Sequence, residues 1–543
     1  MAETLRQTET APRTGFVLRR IWQRAGTRLD TIAASLDKRP PALFFLFLLS
    51  FYIGVAKSER MFPLWHDELY TLYIAQAPSF STMMLWIRTI DLNPPLYYIL
   101  ARLTFHVLHP SQFSVRLPSL VGYFVATLCT YQFIRRRTSP LYGMLGALVL
   151  LGSWFAPYAY QARPYALVLG FLGLCALGWQ RAIAEPVRGR WPSLLLIVFS
   201  AYGMLLSHVL AAVAYAALLL TEFIRTLLRR RIDWLLWVCL LVPLSACVTY
   251  LQPVAHHSAG AFPEKFQASI EQLFEAYSNL WSPIATLLCG GLMLVGLLET
   301  IPSADAQSRS EGRPGFSLPE MIFAAGLCCV PLVVALVFMH SHSAYFDRYG
   351  MPCIFGASIL VAAMVARWTH TSSRAALVCS LFLVFGVVRP ASVARRLQGL
   401  FPQPPATPAL TGISATPYTE VLPNLPFVDA SGLTFLEMNS REKSVFLSRV
   451  YYLTDGQAAV HYANATIFEG MPNLVGKFPI QGHVEPYPAF IQKHRQFLVF
   501  GTYNYPEDWL LRKLLADGAT LKFLGDYPST YKDNHLYEVT LAH

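Results

Sequence analysis

Charge is scarce in this chain. Only 14% of its 543 residues are Asp, Glu, Lys or Arg, against about a quarter in a soluble globular protein. Hydrophobic residues make up 54% and the mean hydropathy is +0.40. That balance excludes an ordinary soluble enzyme and indicates an integral membrane protein. Cysteine is absent from the polar C-terminal region. The nine cysteines (Cys129, Cys175, Cys239, Cys247, Cys289, Cys328, Cys329, Cys353 and Cys379) all lie in apolar stretches without metal-ligand spacing. They read as small buried hydrophobes, and no disulfide framework is expected. Nucleotide-binding and hydrolase signatures are missing too: no GxGxxG, P-loop, HExxH or GxSxG stands in a fitting context. No cleavable signal peptide is expected, because the first apolar run begins near Pro41 after a long basic segment and no small-residue cleavage site follows it.

What is present is a series of apolar runs, about eleven, at 42–57, 116–134, 141–157, 165–180, 192–206, 208–225, 234–251, 281–299, 320–339, 349–366 and 374–390. The net charge of +11 could suggest nucleic acid as a partner, but the basic residues cluster beside these runs. They set orientation instead, and no nucleic-acid partner is expected. With residues 1–40 as a cytoplasmic basic arm (Arg19, Arg20, Arg24, Arg28, Lys38, Arg39), every second connection carries the excess. These are Arg135 to Arg137; Arg181, Arg188 and Arg190; Arg225 and Arg229 to Arg231; Arg309 and Arg313; Arg367 and Arg374. The expected architecture is an α-helical polytopic membrane protein. It has a transmembrane domain over 41–390, interfacial helices in a long first outer loop (58–115), and an outer C-terminal α/β domain over 391–543. That last domain opens on a linker with Pro402, Pro404, Pro405 and Pro408. Strands are expected at 426–428, 497–500, 521–524 and 535–541. Ser431 should cap a helix, and a helix from Trp509 to Leu515 should close at Gly518.

The unusual polar residues fall on one side. Asp67, Glu68, Asp91, Arg163, His208 and Arg348 all lie in or beside connections facing away from the cytoplasm. A charge at hydrocarbon depth costs about 2.5–3.5 kcal/mol on insertion scales, so six gathered at one face call for a reason. Asp67 and Glu68, in the run Trp65 to Tyr70, could simply favour a helix N-terminus. They could equally supply a general base or hold a divalent cation. Asp91 and Asn93 precede Pro94-Pro95, which starts a helix well, so N-capping competes there with a role in a site. Arg163, before Pro164 and Tyr165, and Arg348, before Tyr349, could snorkel to headgroups or grip a phosphate with their planar forks. His208 sits at another outer hairpin, where a structural hydrogen bond is the simpler explanation.

Together these motifs resemble the GT-C superfamily of polytopic glycosyltransferases, which use polyprenyl-phosphate-linked sugars. Within it they are similar to bacterial relatives of protein O-mannosyltransferases and of lipid A aminoarabinose transferases. The resemblance rests on His66-Asp67-Glu68, Asp91-x-Asn93-Pro94-Pro95-Leu96-Tyr97-Tyr98, Gln161-Ala162-Arg163-Pro164-Tyr165 and Arg348-Tyr349. It implies Asp67 as the acid-base residue, with Glu68 beside it and Asp91 nearby. It also implies a donor-phosphate site at Arg163 and Arg348, with Tyr165, Tyr349, His208, Asn93 and His66 around the substrate. Asn93 stands where many relatives have His, which weakens a metal site there. A divalent cation at Asp67 and Glu68 stays open. The implied partners are a polyprenyl-phosphate sugar, a lipid, glycan or protein acceptor, and the bilayer. The implied location is a bacterial inner membrane with the site on the periplasmic side. A transporter or flippase of a lipid-linked saccharide is the competing expectation.

Overall fold

In this computed structural model the described residues are 26–37, 45, 48, 49, 51–53, 55, 63–91, 93–184, 189–248, 267–299, 315–388, 417–464, 466–503, 508–528 and 533–541. Most of the basic arm, most of the 42–57 run, the Arg309–Arg313 connection and the proline-rich linker lie outside them.

Apolar helices occupy the expected runs. They are Gln112–Arg135, Pro140–Leu151, Tyr165–Ala184, Trp191–Leu205, Ala211–Arg229, Trp234–Leu241, Ile270–Glu299, Leu318–Cys328, Val330–His340, Cys353–Trp368 and Ser373–Val388. Three are long and apolar enough to cross a membrane, or up to five if each bent pair counts as one span, among the described residues. Two runs differ from expectation. The 141–157 helix stops at Leu151 with Gly152 as its C-cap, and the chain then turns through a short 3-10 helix, Ala156–Tyr160. The 320–339 run bends by 40° between Cys328 and Val330. Pro331 has no N–H to continue the ladder there. Five cysteines also depart from expectation: Cys289 and Cys329 are exposed, and Cys239, Cys247 and Cys328 are half-buried.

The helices Gln112–Arg135 and Tyr165–Ala184 cross at closest approach through glycine. A Cβ on Gly170 would stand 2.5 Å from the Gly122 carbonyl oxygen, and one on Gly122 would stand 2.5 Å from the Leu167 Cα. Small residues at such a crossing let two backbones touch. This crossing sets Arg116, near the start of one helix, against the turn that carries Arg163, just before the other.

The first outer loop folds into His66–Ala75, Phe80–Trp86, a π-turn at Ile87–Asp91, and Leu96–Leu108. Each is too short to cross a bilayer. Phe80, Leu85, Leu103 and Val107 are exposed along them. The C-terminal region is a six-stranded sheet in the order β3-β2-β1-β4-β6-β5. Its strands are β1 (Phe427–Asp429), β2 (Val450–Thr454), β3 (His483–Pro486), β4 (Gln496–Gly501), β5 (Thr520–Pro528) and β6 (Asp533–Thr540). The first four are mutually parallel and β6 runs antiparallel to both its neighbours. The four expected strands are β1, β4, β5 and β6, whereas β2 and β3 are not expected from the sequence, and Gly518 takes the left-handed conformation that closes the Trp509–Ala516 helix. Ser431 is the N-cap, but Asp429 supplies the bonds. Its Oδ1 accepts from the Ser431 N–H at 3.0 Å and the Thr434 hydroxyl at 2.7 Å.

Side chains alternate across this sheet with period two. Phe427, Leu498 and Phe500 face one core, while Val428, Phe497 and Val499 face another. The first of these cores is continuous with Leu69, Tyr73, Ile74, Met83, Trp86, Tyr97 and Tyr98 of the outer-loop helices. The sheet domain and the outer loop therefore share one hydrophobic core.

Gly170→Leu forces the two helix backbones apart. It should cost at least about 1–3 kcal/mol by overpacking, read as a lower thermal midpoint in detergent. An unchanged midpoint would show that the crossing tolerates separation.

Candidate active site

The helix His66–Ala75 begins with two adjacent carboxylates that have opposite surroundings. Glu68 is fully buried. Its Oε1 accepts from Arg116 Nε at 2.7 Å and from the Ala162 N–H at 2.6 Å, and its Oε2 accepts from Arg116 Nη2 at 2.6 Å. It also receives the Trp65 N–H at 3.3 Å, completing a capping box. With both oxygens occupied, Glu68 is a strut tying the helix to Arg116 and to the Arg163 turn. It cannot turn toward Asp67 to share a cation. Among the described residues no group of three His, Cys, Asp or Glu side chains could hold a metal ion, so the residues here do not fit the divalent cation considered for Asp67 and Glu68.

Asp67 keeps looser company. Its Oδ2 lies 3.6 Å from Nη2 of Arg163 and 3.6 Å from Nη2 of Arg348, and its Oδ1 lies 3.6 Å from His66 Nδ1. These are ion-pair separations, longer than hydrogen bonds. Burial pushes the Asp67 carboxyl up, but Arg163, His66 and Arg348 together pull it well below the usual carboxylate range. Asp91 ends the π-turn and accepts a hydrogen bond from Tyr98. Burial raises its carboxyl, an effect that Arg163 and Asn93 only partly offset. Neither Asp91 nor Asn93 caps the Leu96–Leu108 helix, whose N-cap is Pro95.

Arg163 is held from both sides. Its carbonyl accepts from Ser119 at 2.9 Å, and its own Nη1 donates to the Asp67 carbonyl at 3.4 Å. Arg348 lies among aromatic rings, with its guanidinium carbon 4.3 Å from the Phe346 centroid and about 6 Å from those of Trp65, Tyr165 and Tyr349. The Nε of Arg163 and that of Arg348 are buried and make no hydrogen bond among the described residues. Two buried cations with unpartnered Nε donors thus hold one carboxylate between them.

His208 completes this wall, its ring 5.0 Å from Tyr165 and 6.2 Å from Tyr349. Burial and the two arginines push its pKa down to about 3, so the imidazole is neutral. Its Nδ1 accepts the Leu210 N–H at 3.1 Å, which leaves Nε2 to carry the proton as a donor.

The structure thus gathers His66, Asp67, Asp91, Arg163, Tyr165, His208, Arg348 and Tyr349 at one end of the helical bundle, and turns Glu68 away. Sequence reasoning does not single out Arg116, although it is a lone charge at the edge of the 116–134 run. Glu437, whose carboxylate accepts the His66 N–H at 3.1 Å from 371 positions away, carries no local signal at all. The adjacent pair His256-His257, only a weak metal signal in the sequence, lies outside the described residues.

Arg116→Met leaves Glu68 buried without its counter-charge. It should cost about 3–5 kcal/mol, measured as detergent stability, whereas Arg116→Met combined with Glu68→Leu should recover much of the loss. Equal loss in the single and the double variant would refute the strut.

Residues 92–250 match the model of a family described as dolichyl-phosphate-mannose-protein mannosyltransferase. No curated protein matches the sequence. Among solved structures, ArnT from Cupriavidus metallidurans in the apo state is 12% identical with a TM-score of 0.48, over 91% of this chain and 97% of that one. The same protein bound to undecaprenyl phosphate is 13% identical, with a TM-score of 0.46 and the same coverage. The oligosaccharyltransferase AglB from Archaeoglobus fulgidus, in complex with an inhibitory peptide and a dolichol-phosphate, is 12% identical with a TM-score of 0.32, over 66% of this chain and 52% of that one. The family match spans Asn93, Arg163, Tyr165 and His208, while Asp67, Asp91 and Arg348 lie beyond it. Over that stretch the chain is similar to dolichyl-phosphate-mannose-protein mannosyltransferases.

Proposed function

We propose that this chain is a GT-C-type membrane glycosyltransferase. It moves a sugar from a polyprenyl-phosphate donor to an acceptor hydroxyl on a lipid, glycan or protein. It works at the periplasmic face of a bacterial inner membrane, with about eleven spans in 41–390, the 1–40 arm in the cytoplasm and residues 391–543 outside. One observation carries the reading: Asp67 lies 3.6 Å from both Arg163 and Arg348, so one carboxylate shares two buried cations.

The chemistry follows from that sharing. A donor phosphate seated on Arg163 and Arg348 competes with Asp67 for the same guanidinium charge. With that charge drawn to the phosphate, burial dominates and the Asp67 carboxylate becomes more basic. It then takes the proton of the acceptor hydroxyl as that oxygen attacks the anomeric carbon. The bond from the anomeric carbon to the phosphate oxygen breaks, and the polyprenyl phosphate leaves with its charge held by both arginines and the His208 Nε2–H. A single displacement from the face opposite the phosphate inverts the anomeric centre. Tyr165 and Tyr349 wall the phosphate side. Asp91 and Asn93 help set Arg163, and His66 flanks the base.

Asp67→Asn should lower sugar transfer from a radiolabelled polyprenyl-phosphate donor pool by about 10²–10⁴-fold in membranes where the protein is still present and folded. Transfer at the wild-type rate would remove Asp67 from the chemistry. No transfer by the wild-type chain, with a lipid-linked saccharide crossing the bilayer instead, would favour the transporter.

The pH profiles should separate. In the free protein Asp67 stays ionised far into acid, so kcat/KM, which reports the free enzyme, should hold level as pH falls to about 5. In the donor complex the carboxyl's pKa rises, so the acid limb of kcat should lie at higher pH than that of kcat/KM. Coincident limbs would contradict the competition for arginine.

A further inference from the structure

We infer that Glu437 and Arg441 of the C-terminal domain form a positioning clamp that holds Asp67 in register, a role that rests on the proposed function of Asp67. The clamp grips the chain where it enters the Asp67 helix. Residues 63–65 have no regular secondary structure, so no backbone ladder fixes the direction in which the helix starts. Charged side chains hold it instead, one per residue over four consecutive residues: Arg116, Glu68 and Glu437 are buried, and Arg441 is exposed. The Pro63 carbonyl accepts from Arg116 at 3.3 Å and the Leu64 carbonyl from Arg441 at 2.7 Å. The Trp65 N–H donates to Glu68 at 3.3 Å and the His66 N–H to Glu437 at 3.1 Å. Arg116 belongs to the helical bundle, Glu68 to the held helix itself, and Glu437 and Arg441 to the C-terminal domain.

Glu437 and Arg441 stand one turn apart on the helix Gly432–Arg441 and pair with each other at 2.9 Å. That helix follows β1, the inner strand on which β2 and β4 both pair. The clamp is thus mounted on the middle of the sheet and not on a loop. Glu437 is only 5% exposed, so its charge depends on the partners it finds at this junction. Aromatic contacts run alongside. Phe468 packs edge-on to the His66 ring at 5.4 Å, and Phe478 lies 5.3 Å from Tyr70 and 5.1 Å from Tyr73. The Leu64 and His66 backbone bonds flank Trp65, the residue whose ring lies 6.0 Å from the Arg348 guanidinium. A shift of this segment would move Asp67 relative to both arginines at once. The C-terminal domain therefore does more than cover the site, because it supplies part of the frame that aims the carboxylate.

The test uses the full chain in detergent, with Glu437→Ala, Glu437→Gln and Arg441→Met. Glu437→Ala should lower kcat about 10- to 100-fold with the donor KM nearly unchanged, the signature of misplaced chemistry and not of lost binding. Glu437→Gln keeps an oxygen facing the His66 N–H and should restore most of the rate. A Glu437→Ala variant with wild-type kcat overturns the clamp, and so does one in which kcat and KM decline together and glutamine gives no rescue. Hydrogen exchange of the intact wild-type chain decides independently, whether or not the variants fold and whether or not the sugar donor is right. The His66 amide should exchange slowly, unlike a frayed first-turn amide, and should speed up in Arg441→Met. Fast exchange in the wild type overturns the inference. Absence of transfer by the wild type, with slow exchange at His66, overturns the proposed function and leaves the clamp standing.

Discussion

Two guanidinium groups share one carboxylate at the end of this helical bundle, and most of the surrounding structure serves to keep them in that relation. A lone carboxylate buried there would protonate, and a lone pair of buried arginines would repel. Together Asp67, Arg163 and Arg348 are tolerable at separations of 3.6 Å, yet none is saturated. The group is stable enough to be built in advance and open enough to accept an anion. The contrast with Glu68, one residue along, is instructive. There the contacts are 2.6–2.7 Å and both oxygens are consumed. Geometry divides adjacent acids of similar chemistry into one with both oxygens hydrogen-bonded and one held only by longer ion pairs.

Three separate parts of the chain bring the site's charges to one place. The glycine crossing at Gly122 and Gly170 packs two long helices tightly enough to put Arg116 beside the Arg163 turn. Glu68 bridges these two with one carboxylate. Arg348 arrives from a later connection and is walled by aromatic rings, which favour a flat cation and exclude water. The sheet domain closes the arrangement, sharing a core with the outer-loop helices and reaching the Asp67 helix through Glu437 and Arg441.

Much of this was open to a reading of the sequence because it has local causes. Proline pairs start helices, alternating apolar residues make strands, and a polar residue beside an apolar run stands out. The Leu96–Leu108 helix after Pro94-Pro95, the strands around 427 and 497–500, and the gathering of Asp67, Arg163 and Arg348 all follow from such signals. The rest depends on partners far apart in the chain. Glu68 looks like Asp67 in sequence, and only Arg116, 48 positions on, separates their roles. Glu437 is one glutamate among many until the fold sets it on the His66 amide. The short helix ending at Leu151 and the bend before Pro331 show the opposite limit. Apolar composition continues through both places, while Gly152 and Pro331 decide the backbone.

The central claim is that carboxylate and donor phosphate compete for the same two arginines, and equilibrium binding tests it most directly. Undecaprenyl phosphate should bind the Asp67→Asn protein more tightly than the wild type, because removing the carboxylate frees both guanidinium groups, even as sugar transfer is lost. Arg163→Met and Arg348→Met should each weaken the same binding. Weaker or unchanged binding by Asp67→Asn would contradict the account, for it would mean that the phosphate and Asp67 do not draw on the same charge.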